Sequence, residues 1–366
     1  MFEHRLAVYI DWPLLGAIGV LSAIGAVMVF SSTYDPTSGT VGAEFYRQLV
    51  ALAIGAVALV ACLMVDYRTL ADRSLFIYAG LMAALVLTLL VGTEHGGAQR
   101  WVGIGPLSGQ PSELARLVLA LVLASVYARS SPSPRALRDW LLGGAVVALP
   151  FVLIARQPDL GTAVTLVPVC LTVMVFAGLR ARILVVTALL ALLAAPLVWA
   201  YGLEDYQQRR ISSFLDPEQD PQGAGYQQRQ ARITVGSGGL AGRGFLQGTQ
   251  NQYNFLPVAH NDFIFSVLAE ELGFVGVSVS LGLYLFVILR ALDAARVARD
   301  TTGVYLVAGI VAGFTFQVVY NIAMSAGLAP VKGLTLPLMS YGGSSIIATL
   351  MGFGLILNVR MRRFRN

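Results

Sequence analysis

The residues of this chain best placed to do chemistry stand where polar sequence gives way to apolar sequence. His260, Asn261 and Asp262 close the one long polar segment, 203–273, at the edge of an apolar run. An acid at that boundary sits close to a membrane surface and near the first turn of a helix. Lys332, the one lysine among 25 basic residues, lies among glycines and prolines in the stretch 321–345. A cation among helix-breakers suits an irregular backbone that lines a cavity and touches an anion. Glu113 and Arg116 open another apolar run and share a helix face at i,i+3 spacing. At the interface they would simply be solvated; deeper, they must face protein or a wet cavity. Asp159 stands in the short turn 156–161, where capping of the next helix is as good an account as a role in a site. Arg100 and Trp101 lie in the glycine-rich stretch 93–111, and Trp101 reads equally well as an interfacial anchor.

Other chemistries are disfavoured. The only histidines are His4, His95 and His260, and no Cys/His cluster offers a transition-metal site. Cys62 and Cys170 both fall inside apolar runs, so no structural disulfide is expected. The run GSGGLAGRG at 236–244 follows no strand and opens no βαβ unit, which argues against a nucleotide fingerprint. Its backbone amides, beside Arg243, remain candidates for holding an anion. A net charge of +5 suits anionic membrane lipid and gives no reason to invoke nucleic acid.

The elements that must position these residues are membrane helices. The chain has 366 residues, 56% hydrophobic and 12% charged, against about 25% charged in an average soluble domain. Ten apolar spans are expected, at 10–32, 46–65, 74–92, 112–129, 139–156, 160–179, 183–201, 263–289, 303–325 and 336–358. The fold class is therefore an all-α polytopic membrane protein. Residues 1–366 form a single integral domain, with a large loop at 202–262 between the seventh and eighth spans. With both termini inside, the short inner connections and ends hold fifteen arginines and the short outer ones five basic residues. The positive-inside rule then places both termini in the cytoplasm and the long loop, with Asp262, outside. Two YQQR segments in the loop, at 206–209 and 226–229, suggest short amphipathic helices lying on the membrane surface. Gly309 and Gly313 form a small-xxx-small pair in span 9 and would let another helix approach closely.

Taken together these residues resemble the SEDS family (shape, elongation, division and sporulation), and its RodA-like branch more than its FtsW-like one. The specific pieces are Asn321, Gly327–Gly333 and Ser340–Ser345, with the loop motifs FLDPxxDPxGxGYQ, GSGGLxGRGFxxGTQ and HxDFIFxVLAEExG. Ala98–Trp101, Gln110–Glu113 and Gln157–Gly161 match further family motifs. Two departures stand out. Pro257-Val258-Ala259-His260-Asn261-Asp262 lacks a glutamate usual before the apolar run, and Arg116 replaces a common lysine.

The resemblance implies a peptidoglycan glycosyltransferase of the bacterial cytoplasmic membrane that polymerises lipid II. It would work beside a class B penicillin-binding protein whose single helix docks on spans 8 and 9. In this chemistry the acceptor 4-hydroxyl attacks the donor anomeric carbon with inversion and expels lipid pyrophosphate. Asp262 is the expected general base. Arg100, Lys332, Arg210 and Arg243 are candidates for the pyrophosphate, with a divalent cation left open. Trp101, Glu113, Arg116, Asp159, His260 and Ser340 would shape the substrate cavity. A lipid II flippase and a non-catalytic scaffold are the alternatives. Against transport, a five-plus-five inverted repeat would pair the long loop with the short connection 66–73.

Overall fold

The computed structural model describes residues 9–95, 98–104, 107–129, 137–221, 223–253 and 255–363. Ten apolar helices run through it, numbered here as spans 1 to 10. They are Trp12–Thr33, Ala43–Met64, Ser74–Val91, Pro111–Arg129, Leu137–Ala155, Leu160–Phe176, Ala181–Leu197, Ile264–Arg296, Thr301–Ser325 and Gly343–Met361. Among the described residues nine helices are long and apolar enough to cross a membrane, and span 6 is a shorter one of the same character. Aspartates start three of them: Asp11, Asp159 and Asp300 accept from the amides of Leu14, Thr162 and Gly303, which satisfies amides that have no partner inside the helix. Two small antiparallel additions qualify the all-α expectation. Tyr34–Asp35 pairs with Thr40–Val41, and Thr93–His95, Ala98–Ile104 and Leu107–Gly109 make a three-stranded sheet.

Spans 4, 9 and 10 form the enclosed centre, with spans 6, 8 and 2 packed around them. Span 7 buries none of its residues, and its uniformly apolar surface suits lipid on every side. Gly309 and Gly313 belong to the interior. A Cβ on Gly309 would meet Val173 and Ala120, and one on Gly313 would meet Val169, so spans 4 and 6 already occupy this face. These glycines are therefore not where an outside helix docks; they let the protein's own helices approach.

Span 8 breaks at Gly273, whose backbone is left-handed with φ 63°. The 236–244 loop mends the break. The amides of Arg243 and Gly244 donate to the carbonyls of Glu270 and Glu271, while those of Phe274 and Val275 donate to Gly239 and Leu240. Space for this exchange exists only without side chains: a Cβ on Gly242 would lie 2.1 Å from the Glu271 carbonyl oxygen, and one on Gly273 2.2 Å from the Gly242 nitrogen. The glycine run thus closes a helix break. The amides expected to hold an anion beside Arg243 are used in doing so.

The long loop folds into helices Asp205–Leu215, Ala224–Ser237 and Thr249–Gln252. Both YQQR segments are helical as expected, but the second helix does not lie on lipid. Gln228, Ala231 and Thr234 are buried, and the helix packs on spans 8 and 9. Glu270, fully buried, ties the loop down: it accepts from the amides of Gln250 and Asn251 and from the hydroxyls of Ser237 and Thr249.

At the opposite end of the bundle, Asp11 pairs with Arg290 and Arg360, Asp293 with Arg360, Asp66 with Arg362, Asp300 with Arg68 and Asp72 with Arg129. The start of span 1 and the end of span 10 therefore share one face.

Candidate active site

Asp262 lies just ahead of span 8, and it caps nothing. The N-cap position belongs to Phe263, and no side chain hydrogen-bonds to the helix start there. The carboxylate stands half-buried beside Gly333, whose Cβ, if it had one, would lie 3.7 Å from Oδ2. Burial raises its pKa to about 6, and the fields of Arg210 and Arg100 hold back a larger rise. A carboxylate of that strength is mostly ionised at neutral pH yet far more basic than an ordinary aspartate.

The segment 326–342, between spans 9 and 10, forms the other wall. It is irregular, so its backbone groups need partners from elsewhere. Gln228 and Arg232 donate to the Gly327 carbonyl, Tyr320 to Pro330, Tyr284 to Pro337, and Gln48 to Ser340. Lys332 is partly buried in this wall and makes no ion pair among the described residues. Burial draws its ammonium below the ordinary lysine range, and Arg210 adds like-charge repulsion. Arg210 itself is exposed, with its guanidinium over the Tyr206 ring.

Asp159 caps span 6 and also serves the site's surroundings. It accepts from Gln110 at 2.7 Å and faces Arg100 at 3.8 Å. Of the two accounts weighed for it, the structure shows the cap directly. The turn it stands in abuts the Lys332 wall: a Cβ on Gly161 would meet the Lys332 carbonyl at 2.7 Å. Glu113 and Arg116 pair at 3.4 Å and are buried, not solvated at the interface. Arg116 reaches Gln317 of span 9, and Thr349 and the Ser345 carbonyl of span 10. Two ion pairs therefore stand on this side of the site, Arg100–Asp159 and, buried deeper, Glu113–Arg116.

His260 stacks edge-to-face on Tyr341, and its carbonyl accepts the Tyr341 amide. Burial lowers its pKa, which favours the neutral imidazole, and the field of Glu44 opposes this. The Ser340 hydroxyl is turned inward and accepts the Leu336 amide, which makes it a brace of the wall. The Trp101 carbonyl accepts from Thr93 within the small sheet. Arg243 is exposed on the far side of the loop, beside the Gly273 break, and is not among the charges that act on Asp262. The structure thus brings Asp262, Lys332, Arg210, Arg100, Asp159 and His260 to one region and leaves Arg243 apart.

Residues that single-sequence reasoning passed over include Gln48, which bridges Ser340 and Gly342 from span 2, Gln317, and Glu270. The signal available for Gln48 and Gln317 was one polar residue inside an apolar run, and for Glu270 an acidic pair with Glu271 early in span 8. Among the described residues no group of three or more His, Cys, Asp or Glu could hold a metal ion.

Comparison with known proteins bears on the whole chain. The family described as cell cycle protein, FTSW_RODA_SPOVE, matches residues 12–364. The peptidoglycan glycosyltransferase MrdB of Escherichia coli K12 is 36% identical over 97% of this chain and 95% of its own length. A solved chain from work on structural coordination of polymerization and crosslinking by a peptidoglycan synthase complex superposes with TM-score 0.85 and 36% identity, covering 98% of this chain and 99% of that one. The crystal structure of the rod shape determining protein RodA from Thermus thermophilus superposes with TM-score 0.72 and 32% identity, covering 98% of each chain.

Proposed function

This chain belongs to the FTSW_RODA_SPOVE family of cell cycle proteins, and from that premise we propose that it is a peptidoglycan glycosyltransferase that polymerises lipid II with Asp262 as general base. The observation that carries the mechanism is an imbalance of charge at one place. An aspartate released from capping, with a pKa of about 6, stands in the field of Arg210, while Lys332 is the chain neighbour of Gly333 on the facing wall, and neither cation has an acidic partner among the described residues. Joining two lipid II molecules needs both halves of that arrangement. The carboxylate takes the proton of the acceptor 4-hydroxyl as it attacks the donor anomeric carbon. The bond to pyrophosphate breaks as the glycosidic bond forms, and the lysine and arginines stabilise the charge on the departing lipid pyrophosphate. Arg100, partly neutralised by Asp159, has the weaker claim of the three. Glu113, Arg116, Asp159, His260 and Ser340 are braces that keep the walls in register.

The reaction places Asp262 and the long loop on the outer face of the cytoplasmic membrane, where the lipid II sugars are exposed. Both termini are then cytoplasmic, in keeping with the arginine distribution. The synthase-complex neighbour supports a class B penicillin-binding protein as partner, cross-linking the strands made here. The test is purified protein given lipid II, with and without that partner. Glycan polymer supports the reading. Absence of polymer under both conditions, together with movement of lipid II across a vesicle bilayer, would replace it with a flippase.

A further inference from the structure

Asn321 sits on the inner turn of span 9, has no exposed surface, and touches no candidate substrate group. Its side-chain amide nevertheless joins the two walls of the site. Nδ2 donates to the Asp262 carbonyl at 2.9 Å and to the Leu334 carbonyl at 2.6 Å. Both carbonyls belong to non-helical backbone, so neither has a ladder partner of its own. An amide NH2 carries two protons, and here each is committed to one wall. The Asn321 Oδ1 is buried with no partner among the described residues, so within them the side chain is held by its donor end.

We infer that Asn321 is a positioning residue: by clamping the Asp262 and Leu334 carbonyls it fixes the distance between the carboxylate at 262 and the ammonium at 332. The register of the second wall makes this a short lever. Leu334 is two residues from Lys332, and the residue between them is Gly333, left-handed at φ 69°, where a Cβ, if present, would lie 3.7 Å from the Asp262 Oδ2. A shift of the Leu334 carbonyl therefore moves Lys332 and the Gly333 backbone that faces the carboxylate together. No other side chain hydrogen-bonds to both walls among the described residues. Charges around Asp262 come from Arg100 and Arg210, with His260 and Lys332 on the two clamped segments.

The inference rests on the glycosyltransferase reading and deepens it. The experiment compares lipid II polymerisation by the full chain with its partner for Asn321→Asp, Asn321→Ala and Ser325→Ala. Asn321→Asp keeps the shape and removes the donors. Ser325 is buried one turn further along span 9 with an unpartnered hydroxyl, so its variant controls for disturbance of that helix end. Displacement of reacting groups by about 1 Å costs on the order of 10²-fold in rate. Both Asn321 variants should lose about that factor in kcat with KM changed by less than about threefold, and the acid limb of the pH–rate profile should shift. Ser325→Ala should match the parent. Folded protein with parental kcat and an unmoved pH profile for Asn321→Asp would overturn the clamp. So would a loss that tracks only the unfolded fraction. If instead Asp262→Asn is itself fully active, the catalytic reading fails and the clamp falls with it.

Discussion

The two ends of the bundle treat charge in opposite ways. At the end where span 1 starts and span 10 finishes, Asp11, Asp66, Asp72, Asp293 and Asp300 each have an arginine partner, and several of these pairs are well enclosed. At the other end Arg210 acts on both Asp262 and Lys332, and none of the three makes an ion pair among the described residues. The first arrangement holds helix ends together and leaves little charge free for a ligand. The second keeps a carboxylate ionisable and cations available, and the fold bears the desolvation this entails. Charge that is neutralised inside the protein is structural, and charge that is left unspent marks the site.

The sharpest way to break that comparison is Asp262→Asn. Loss of a general base costs about 10²–10⁴ in rate, so polymerisation of lipid II should fall by that factor. Stability should move the other way. The folded pKa of about 6 lies above the unfolded value, so the native state binds the proton more tightly. Stability then declines as pH rises from about 4 to about 6, and at neutral pH the ionised carboxylate weighs against the fold. Asparagine removes that burden, and the thermal midpoint should be equal to or above the parent's. A variant that loses activity by unfolding would return Asp262 to the structural class.

Lys332→Gln comes next. Removing one electrostatic contact to developing charge costs about 10²–10³ in rate. The effect should appear in kcat more than in KM, since the charge on the leaving pyrophosphate grows in the transition state. At the other end, Asp11→Asn should leave turnover per folded molecule unchanged while lowering stability by about 3 kcal/mol, because Arg290 and Arg360 lose a buried partner. Thermal unfolding and specific activity on the same sample separate the two effects. Arg243→Ala should do least. Its side chain is exposed at the mended break of span 8, and surface changes of this kind stay within about 0.5 kcal/mol. A large loss of lipid II turnover there would return Arg243 to the pyrophosphate site.

The ten spans were legible in the sequence because each is a run that length and hydropathy define without reference to its neighbours. Asp262 and Lys332 were legible for a related reason: each is a charge at a border or among helix-breakers. What the sequence concealed is pairing at a distance. Gln48 holds the Ser340 carbonyl from 292 residues away, and a lone glutamine in an apolar run gives no hint of its partner. Gly309 and Gly313 misled because small residues permit close approach without saying whose helix approaches; spans 4 and 6 of the same chain do so. The glycine run at 236–244 misled for the same reason, since its freed amides serve a break in span 8 that hydropathy alone cannot show.

The central claim is that Asp262 works in its ionised form, and the pH dependence of kcat for lipid II polymerisation tests it most directly. His260 is another titratable group near the site, with its pKa drawn below the ordinary imidazole value by burial, so His260→Gln is measured alongside. The account predicts a single acid limb with a midpoint near 6, falling about tenfold per pH unit below it, in both the parent and the His260 variant. A rate that stays flat down to pH 5, or a limb that vanishes with His260, would contradict it.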